Sequence, residues 1–253
     1  MAHDIDFRIF GDDMQAVEIE LDPSEAIRAE VGAMLYMEDD IEMQTGTSGG
    51  IFAGFKRIVS GENFFITSFL NTSTSSKRNV TFAAPYPGKI IPINLPEVGG
   101  SFLCQRDGFL CAAQGIEISV EFTKKIGAGL FGGEGFILQR LSGNGKAFIH
   151  AGGTVIRKDL KQGERLRVDT GCLVGLQPSV EYDIQFIGGF KNVLFGGEGL
   201  FYASLKGPGI VYLQTLPFSR LADRIISASK WGGSKEESKG LGGLLGGIIS
   251  GDR

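Results

Sequence analysis

Histidine and cysteine, which supply many metal ligands and nucleophiles, are scarce in this sequence. The 253 residues include two histidines, His3 and His150, and three cysteines, Cys104, Cys111 and Cys172. Two histidines so far apart in the chain cannot build the multi-histidine sites typical of catalytic zinc or non-haem iron. A cysteine nucleophile needs a histidine partner, and no motif links the two residue types. We therefore predict no catalytic residue, no cofactor and no metal ion, and expect His150 to be a structural residue with its hydrogen bonds satisfied.

The cysteines and the apolar runs also indicate the cellular compartment in which the protein is expected. An odd number of cysteines without CxxC spacing fits buried thiols in a reducing environment rather than a disulfide framework. No run approaches the ~18–20 apolar residues that a membrane-spanning helix needs. The first eight residues are polar and acidic, unlike a secretory signal or a transit peptide. These features together predict a cytoplasmic protein.

Positive charge is scarce at one end of the chain. The net charge is −4, which argues against a nucleic-acid partner. Residues 1–45 contain thirteen Asp and Glu against two Arg, a balance of −11 that leaves +7 for the remainder. One interpretation is an acidic surface that favours solubility. The other is a contact between complementary surfaces of neighbouring subunits.

Glycine, in contrast, is abundant and recurs in a pattern. The chain has 39 glycines, about twice the usual share. The segment Leu130-Phe131-Gly132-Gly133-Glu134-Gly135-Phe136 returns at 194–200 with only its last residue changed, and a weaker copy lies at 60–64. Segment 21–27 likewise matches segment 160–166. Recurrence of this kind predicts tandem structural repeats.

The repeats predict an all-β fold. Each copy has the same order of short strands, turns and a Gly-rich hairpin, and its strands are enriched in Phe, Ile and Val. No helical stripe of apolar residues appears in this region. Turn-forming clusters separate the copies. We place three β repeats at 1–78, 79–153 and 154–217.

Helical periodicity appears after the repeats. Apolar residues at helical spacing predict an amphipathic helix over 218–229, with Trp231 and Gly232 ending it and a flexible Gly-rich tail at 230–253. The candidate contacts with a protein or membrane-surface partner are Phe218, Leu221 and Ile225.

The Gly-rich hairpins hold the candidate ligand or partner residues Glu62, Glu134 and Glu198, which occupy one repeat position. Each carboxylate either bonds nearby backbone N–H groups within its turn or binds a cation or a partner. A literal GxGxxG at 127–132 is followed by a predicted strand. A dinucleotide site would need a helix there.

Several motifs together resemble one family. They are Asp13-Met14-Gln15, Gly32-Ala33-Met34, the two Gly-Gly-Glu-Gly segments and the segment 216–224. The chain resembles, over about residues 5–225, the family named for altered inheritance of mitochondria, number twenty-four. Its mitochondrial members are tied to inner-membrane organisation, and its bacterial members have no settled role.

The resemblance implies a fold like that of the tryptophan RNA-binding attenuator. Small β-sandwich units related to the double-stranded β-helix would stand in tandem, and the chains would assemble as rings, as trimers carrying nine units. The resulting hypothesis is a non-enzymatic scaffold or adaptor that forms a homotrimeric ring. The alternatives are a small-molecule or metal-binding module at clefts between repeats, and an RNA-binding regulator by analogy with the attenuator, which the acidic charge opposes.

Overall fold

Nineteen β-strands and one α-helix are found among the residues that the computed structural model describes, which are 4–44, 66–124, 136–186 and 201–232. The chain divides into two compact units, Met1–Pro217 and Phe218–Arg253. All nineteen strands belong to the first unit and the α-helix belongs to the second. The predicted all-β class with a C-terminal helix is confirmed.

The strands fall into three consecutive groups according to their pairing. The first group is β1 (Asp6–Phe10), β2 (Ala16–Leu21), β3 (Ala26–Glu30), β4 (Met34–Met37), β5 (Ile41–Gln44), β6 (Ile66–Asn71) and β7 (Arg78–Ala83). The second is β8 (Gly88–Asn94), β9 (Ser101–Gln105), β10 (Phe109–Ala113), β11 (Glu117–Lys124), β12 (Phe136–Ser142) and β13 (Lys146–Gly152). The third is β14 (Val155–Leu160), β15 (Arg165–Asp169), β16 (Leu173–Leu176), β17 (Glu181–Phe186), β18 (Phe201–Lys206) and β19 (Gly209–Gln214).

Each group contains the same four antiparallel pairs. In the first group, β2 and β4 flank β7, while β3 and β5 flank β6. In the second, β8 and β10 flank β13, while β9 and β11 flank β12. In the third, β14 and β16 flank β19, while β15 and β17 flank β18. The additional strand β1 pairs with β2. Because β7 pairs within the first group, that group of strands ends at Ala83, and residue 78, the predicted end of the first repeat, is the first residue of β7.

Two further pairs join the groups. Strand β3 pairs with β10, and strand β9 pairs with β16. The result is four sheets, in the orders β1-β2-β7-β4, β5-β6-β3-β10-β13-β8, β11-β12-β9-β16-β19-β14 and β15-β18-β17. We call each pair that joins two groups a junction.

The local geometry also recurs between groups. Strands β4, β10 and β16 each carry a β-bulge, at Leu35, Leu110 and Val174. The turn before β5, β11 and β17, the fourth strand of the shared pattern, is closed by one backbone hydrogen bond. The N–H of Ile41 donates to the carbonyl oxygen of Glu38, that of Ile116 to Ala113 and that of Val180 to Gln177. A bulge inserts one residue into a strand and bends it, so its recurrence marks equivalent positions.

Alternation of apolar and polar residues builds the core. In β2 the buried residues Val17, Ile19 and Leu21 alternate with glutamates that are only half-buried. Such a strand places one apolar face on a neighbouring sheet. Phe69 of the second sheet meets Phe82 of the first edge to face, with ring centroids 5.1 Å apart. Each fully buried large apolar side chain contributes about 1.5–3 kcal/mol.

The matched segments 21–27 and 160–166 form the same turn. The Glu25 carboxylate accepts a hydrogen bond from the Asp22 backbone N–H, and the Glu164 carboxylate accepts one from that of Lys161, both at 2.9 Å. The carboxylate three residues along thereby closes each turn on its own backbone.

The α-helix α1 spans Phe218–Gly232. It extends three residues beyond the predicted end at 229 and includes Trp231 and Gly232, which were expected to end it. Phe218, Ile225 and Ile226 are exposed, and Leu221 is half-buried. An apolar face of this kind fits the predicted amphipathic character of the helix.

Candidate functional site

The two junctions join equivalent positions of successive groups. At the first, Cys111, Ala112 and Ala113 lie opposite Ala29, Arg28 and Ile27. At the second, Gly175 and Leu176 lie opposite Cys104 and Leu103. The residue after each bulge is Tyr36, Cys111 or Gly175. The pairing of β3 with β6, of β9 with β12 and of β15 with β18 makes Ala29, Cys104 and Val168 equivalent. Both junctions therefore follow one register.

The strands approach closely at the second junction. A Cβ atom added to Gly175 would lie 2.6 Å from the Leu103 carbonyl oxygen and 2.6 Å from the Phe102 ring. Glycine fits here because it has no side chain to clash with the opposing strand.

If the same register is extended to all three groups, one strand of the first group and one strand of the third group have no partner to form a junction. Strand β4 is the equivalent of β10 and β16 but lies at the edge of the first sheet, and strand β15 is the equivalent of β3 and β9 but lies at the edge of the fourth. The outer edges of β4 and β15 therefore have no strand neighbour among the described residues. An unpaired edge exposes backbone N–H and C=O groups that can pair with another strand.

The exposure of β4 differs sharply from that of its equivalents. Leu35 is 60% exposed, whereas its equivalents Leu110 and Val174 are 2% and 1% exposed. Tyr36 is 46% exposed, whereas Cys111 is 0% exposed. Met37 is also exposed, and its equivalents Ala112 and Leu176 are fully buried. Strand β4 thus presents to solvent an apolar surface that the junctions bury elsewhere.

The two edges carry opposite charge. The exposed residues Glu38, Asp39 and Asp40 follow β4, and β15 carries the exposed Arg165 and Arg167. Part of this charge is already paired, because Arg78 lies 2.7 Å from the Asp40 carboxylate. The Arg167 guanidinium lies 5.4 Å from the centre of the Tyr202 ring. The remaining charges make the edges complementary.

A group of ionisable side chains lies beside the first junction. The pKa of Glu30 is raised to about 7, mainly by burial and then by the negative charge of Asp107. The positive charge of Arg106 lowers this pKa, and part of the Glu30 side chain is exposed to solvent. Burial and the charges of Asp107 and Glu30 raise the pKa of Tyr86 to about 12. Glu30 therefore titrates near neutral pH.

His150 lies next to Tyr86, with ring centroids 4.5 Å apart in an edge-to-face arrangement. It is buried, and burial lowers its pKa to about 4, so the imidazole is neutral at pH 7. Its Nδ1 atom has no hydrogen-bond partner within the described ranges. The ring is closely packed, since a Cβ atom added to Gly88 would lie 2.5 Å from Nε2. The hydrogen bond expected at Nδ1 is not made by any described protein group.

The thiols of the two buried cysteines are unreactive at neutral pH. Burial raises the pKa of the Cys104 thiol to about 12 and that of Cys111 well above its ordinary value. Both thiols stay protonated at neutral pH, and the thiolate is the reactive form. No disulfide joins the three cysteines, all of which lie in described parts of the chain.

The predicted loop carboxylates Glu62, Glu134 and Glu198, like the GxGxxG at 127–132, lie outside the described residues. Among the residues that are described, no cluster of three or more His, Cys, Asp or Glu side chains could hold a metal ion. In the same ranges no helix combines the length and apolarity needed to cross a membrane. The predicted contact residues Phe218, Leu221 and Ile225 lie together on α1.

Comparison with known families connects this architecture to relatives. A family model described as "Mitochondrial biogenesis AIM24" matches residues 7–216. The chain belongs to the AIM24 family. The match runs from β1 to just beyond β19 and stops before α1, so the AIM24 region is the β-structure.

Two similar proteins come from Streptococcus pyogenes. An uncharacterized protein of Streptococcus pyogenes serotype M6 is 27% identical over 214 residues, which cover 81% of this chain and 83% of the relative. A Streptococcus pyogenes protein solved by X-ray crystallography superposes with a TM-score of 0.73 at 22% identity, covering 88% of this chain and 99% of that one. This likeness shows a shared fold. Neither name mentions an enzymatic activity.

The sequence motifs of this AIM24 protein do not point to β4 or β15. Aligning the copies would have placed Leu35 with Leu110 and Val174, which is the signal available in the sequence. Strand periodicity cannot show that β4 lacks the neighbour that β10 and β16 have, because a missing neighbour is a tertiary property.

Proposed function

We propose that this AIM24 protein is a non-enzymatic scaffold in which each chain supplies three tandem β-units and several chains join end to end. The observation that carries the proposal is the repeated junction. Two junctions within the chain follow one register, and the same register leaves β4 and β15 as a complementary pair of unmatched edges.

Assembly would satisfy both edges. Unpaired strand edges promote uncontrolled association unless they are covered. Because the two edges differ, a chain can bind one copy through β4 and another through β15. Such a heterologous contact generates a ring when the rotation between copies closes. The ring proposed is a homotrimer of nine units, each with the attenuator-like β-sandwich fold.

The chemistry of the described side chains supports a non-enzymatic role. His150 is neutral and enclosed, and the thiols of Cys104 and Cys111 are buried and protonated. None of these groups is suited to nucleophilic or general-base chemistry at neutral pH. Buried reduced thiols also support a cytoplasmic location.

Light scattering on the chromatographed full-length protein tests the proposal. We expect a mass near that of three chains of 27.1 kDa, about 81 kDa in total. A single-chain mass maintained from low to high protein concentration would overturn the proposal. A stable oligomer of another size would retain the scaffold and correct the number of chains.

A further inference from the structure

We infer that β15 of one copy pairs antiparallel with β4 of the next copy, with Val168 opposite Tyr36, Arg167 opposite Met37 and Leu166 opposite Glu38. This inference depends on the self-association proposed above and names its contact surface. The occupant of the β4 edge is thus a second copy of this chain.

The register follows from the two junctions in the chain. Cys111 lies opposite Ala29 at the first junction, and Gly175 lies opposite Cys104 at the second. The next position along each strand agrees as well, since Ala112 opposes Arg28 and Leu176 opposes Leu103. Advancing the pattern by one group places Tyr36 of the next copy opposite Val168.

Burial in the known junctions indicates what the contact would cover. The positions equivalent to Leu35, Tyr36 and Met37 are buried wherever a neighbouring strand is present. These side chains are therefore exposed in β4 because β4 lacks the neighbouring strand that covers β10 and β16. Covering these side chains supplies the apolar contribution that a stable interface needs.

A hydrogen bond at the first junction provides an independent argument. The Arg28 guanidinium donates to the carbonyl oxygen of Ile116 at 3.2 Å. The position of Arg28 in β3 is that of Arg167 in β15, and Ile116 closes the same turn as Ile41. The arginine is thus present where the next copy would offer the Ile41 carbonyl oxygen.

Charge favours the same pairing. Arg165 and Arg167 would approach the acidic stretch Glu38–Asp40, which adjoins β4. A copy binding through β4 to another β4 would instead bring two acidic stretches together. The head-to-tail contact is thereby favoured over a symmetric one.

The proposed pair suits a disulfide test. At the first junction the Gln114 backbone N–H donates to the Ala26 carbonyl oxygen at 3.0 Å. Alternation along an antiparallel ladder makes Cys111–Ala29 a non-hydrogen-bonded pair, with Cα atoms about 4.5 Å apart. Tyr36–Val168 inherits this geometry, and so does Glu38–Leu166. A disulfide accepts Cα separations of ~4.4–6.8 Å.

The experiment co-expresses two chains that carry tags of different size, each with one introduced cysteine, in a Cys172→Ser background that keeps the buried Cys104 and Cys111. Tyr36→Cys is combined with Val168→Cys, and Glu38→Cys with Leu166→Cys. The shifted control combines Tyr36→Cys with Leu166→Cys, a diagonal pair about 7–8 Å apart. After mild oxidation, non-reducing gels separate cross-linked from single chains, and circular dichroism checks that each variant is folded.

We expect cross-links between the two differently tagged chains in both matched pairs and at least tenfold less in the shifted pair. The second matched pair retains the test if Val168→Cys fails to fold. Preferential cross-linking of the shifted pair would overturn the register. An oligomeric mass without any of these cross-links would overturn the β15–β4 contact while leaving self-association intact. A single-chain mass would remove both proposals.

Discussion

At the scale of single residues, equivalent positions carry different chemistry. Gln105 donates from its side-chain amide to the Thr170 carbonyl oxygen at 2.7 Å across the second junction. Its equivalent at the first junction is Glu30, which lies near Asp107 and Arg106. An ionised carboxylate cannot donate such a bond, whereas a protonated carboxyl group can. We therefore expect ionisation of Glu30 near pH 7 to affect the first junction, whereas Gln105 at the second junction does not ionise.

Glu30→Gln should remove that sensitivity. The folded chain holds the Glu30 proton up to about pH 7, whereas the unfolded chain releases it near the usual pKa of 4.5. Because the folded state binds more protons in this window, its stability falls as pH rises from about 4.5 to 7. We expect the variant to unfold at higher denaturant at pH 8, by on the order of 1 kcal/mol after solvent screening, and to match the wild type at pH 4.

Urea titrations at both pH values measure this effect. Glu117→Gln is the matched control, since it makes the same chemical change at an exposed position of β11. If Glu30→Gln and Glu117→Gln shifted stability equally at pH 8, the explanation through the junction would be wrong.

At the scale of elements, equivalent strands occupy either the interior or the edge of a sheet. Strands β10 and β16 are interior strands of six-stranded sheets, and β4 is an edge strand of a four-stranded sheet. All three carry a bulge at the same position and similar apolar content. Their burial differs because of the neighbour and not because of the strand itself.

Arg167→Glu should separate the copies without unfolding the chain. The side chain is exposed in the single chain, and its contact with the Tyr202 ring contributes only about 0.5–1 kcal/mol. Reversing its charge would place a carboxylate against Glu38–Asp40 of the next copy. We expect association to weaken at least tenfold, about 1.4 kcal/mol, measured by sedimentation at several concentrations.

Lys158→Glu is the control for net charge, because it reverses an exposed charge on β14. It should leave association unchanged. Equal weakening by both variants would point to a general effect of charge and would contradict the specific contact.

At the scale of the whole molecule, stability and assembly are linked. If exposed edges of the first and third groups are satisfied only by neighbouring copies, a folded chain gains stability from association. Each copy binds the folded state of another copy, as a ligand would, so the unfolding temperature depends on the protein concentration.

We expect the unfolding midpoint to rise by about 2–3 °C for each tenfold increase in protein concentration. Differential scanning calorimetry measures this shift. The Arg167→Glu variant should show a smaller dependence, and a wild-type midpoint independent of concentration would contradict a link between assembly and stability.

Much of the β-structure was predictable from the residues. The alternation in 15–21, the turn at Asp22-Pro23-Ser24 and the helix starting at Phe218 all appear in the structure. These features depend on neighbours within a few residues, so a local pattern suffices. The predicted loop carboxylates fall outside the described residues, and the polar cluster around Glu30 went unrecognised because Glu30, Tyr86 and Asp107 are distant in the chain.

The sequence by itself determined the secondary structure, the recurrence of segments and the scarcity of catalytic residue types. Only the tertiary structure decided which recurrent strands are covered and which are left at an edge. The physical reason is that a strand's apolar face is encoded every second residue along the chain, whereas its hydrogen-bonding edges are satisfied by strands far away in sequence. Strands β4, β10 and β16 share the first property and differ in the second.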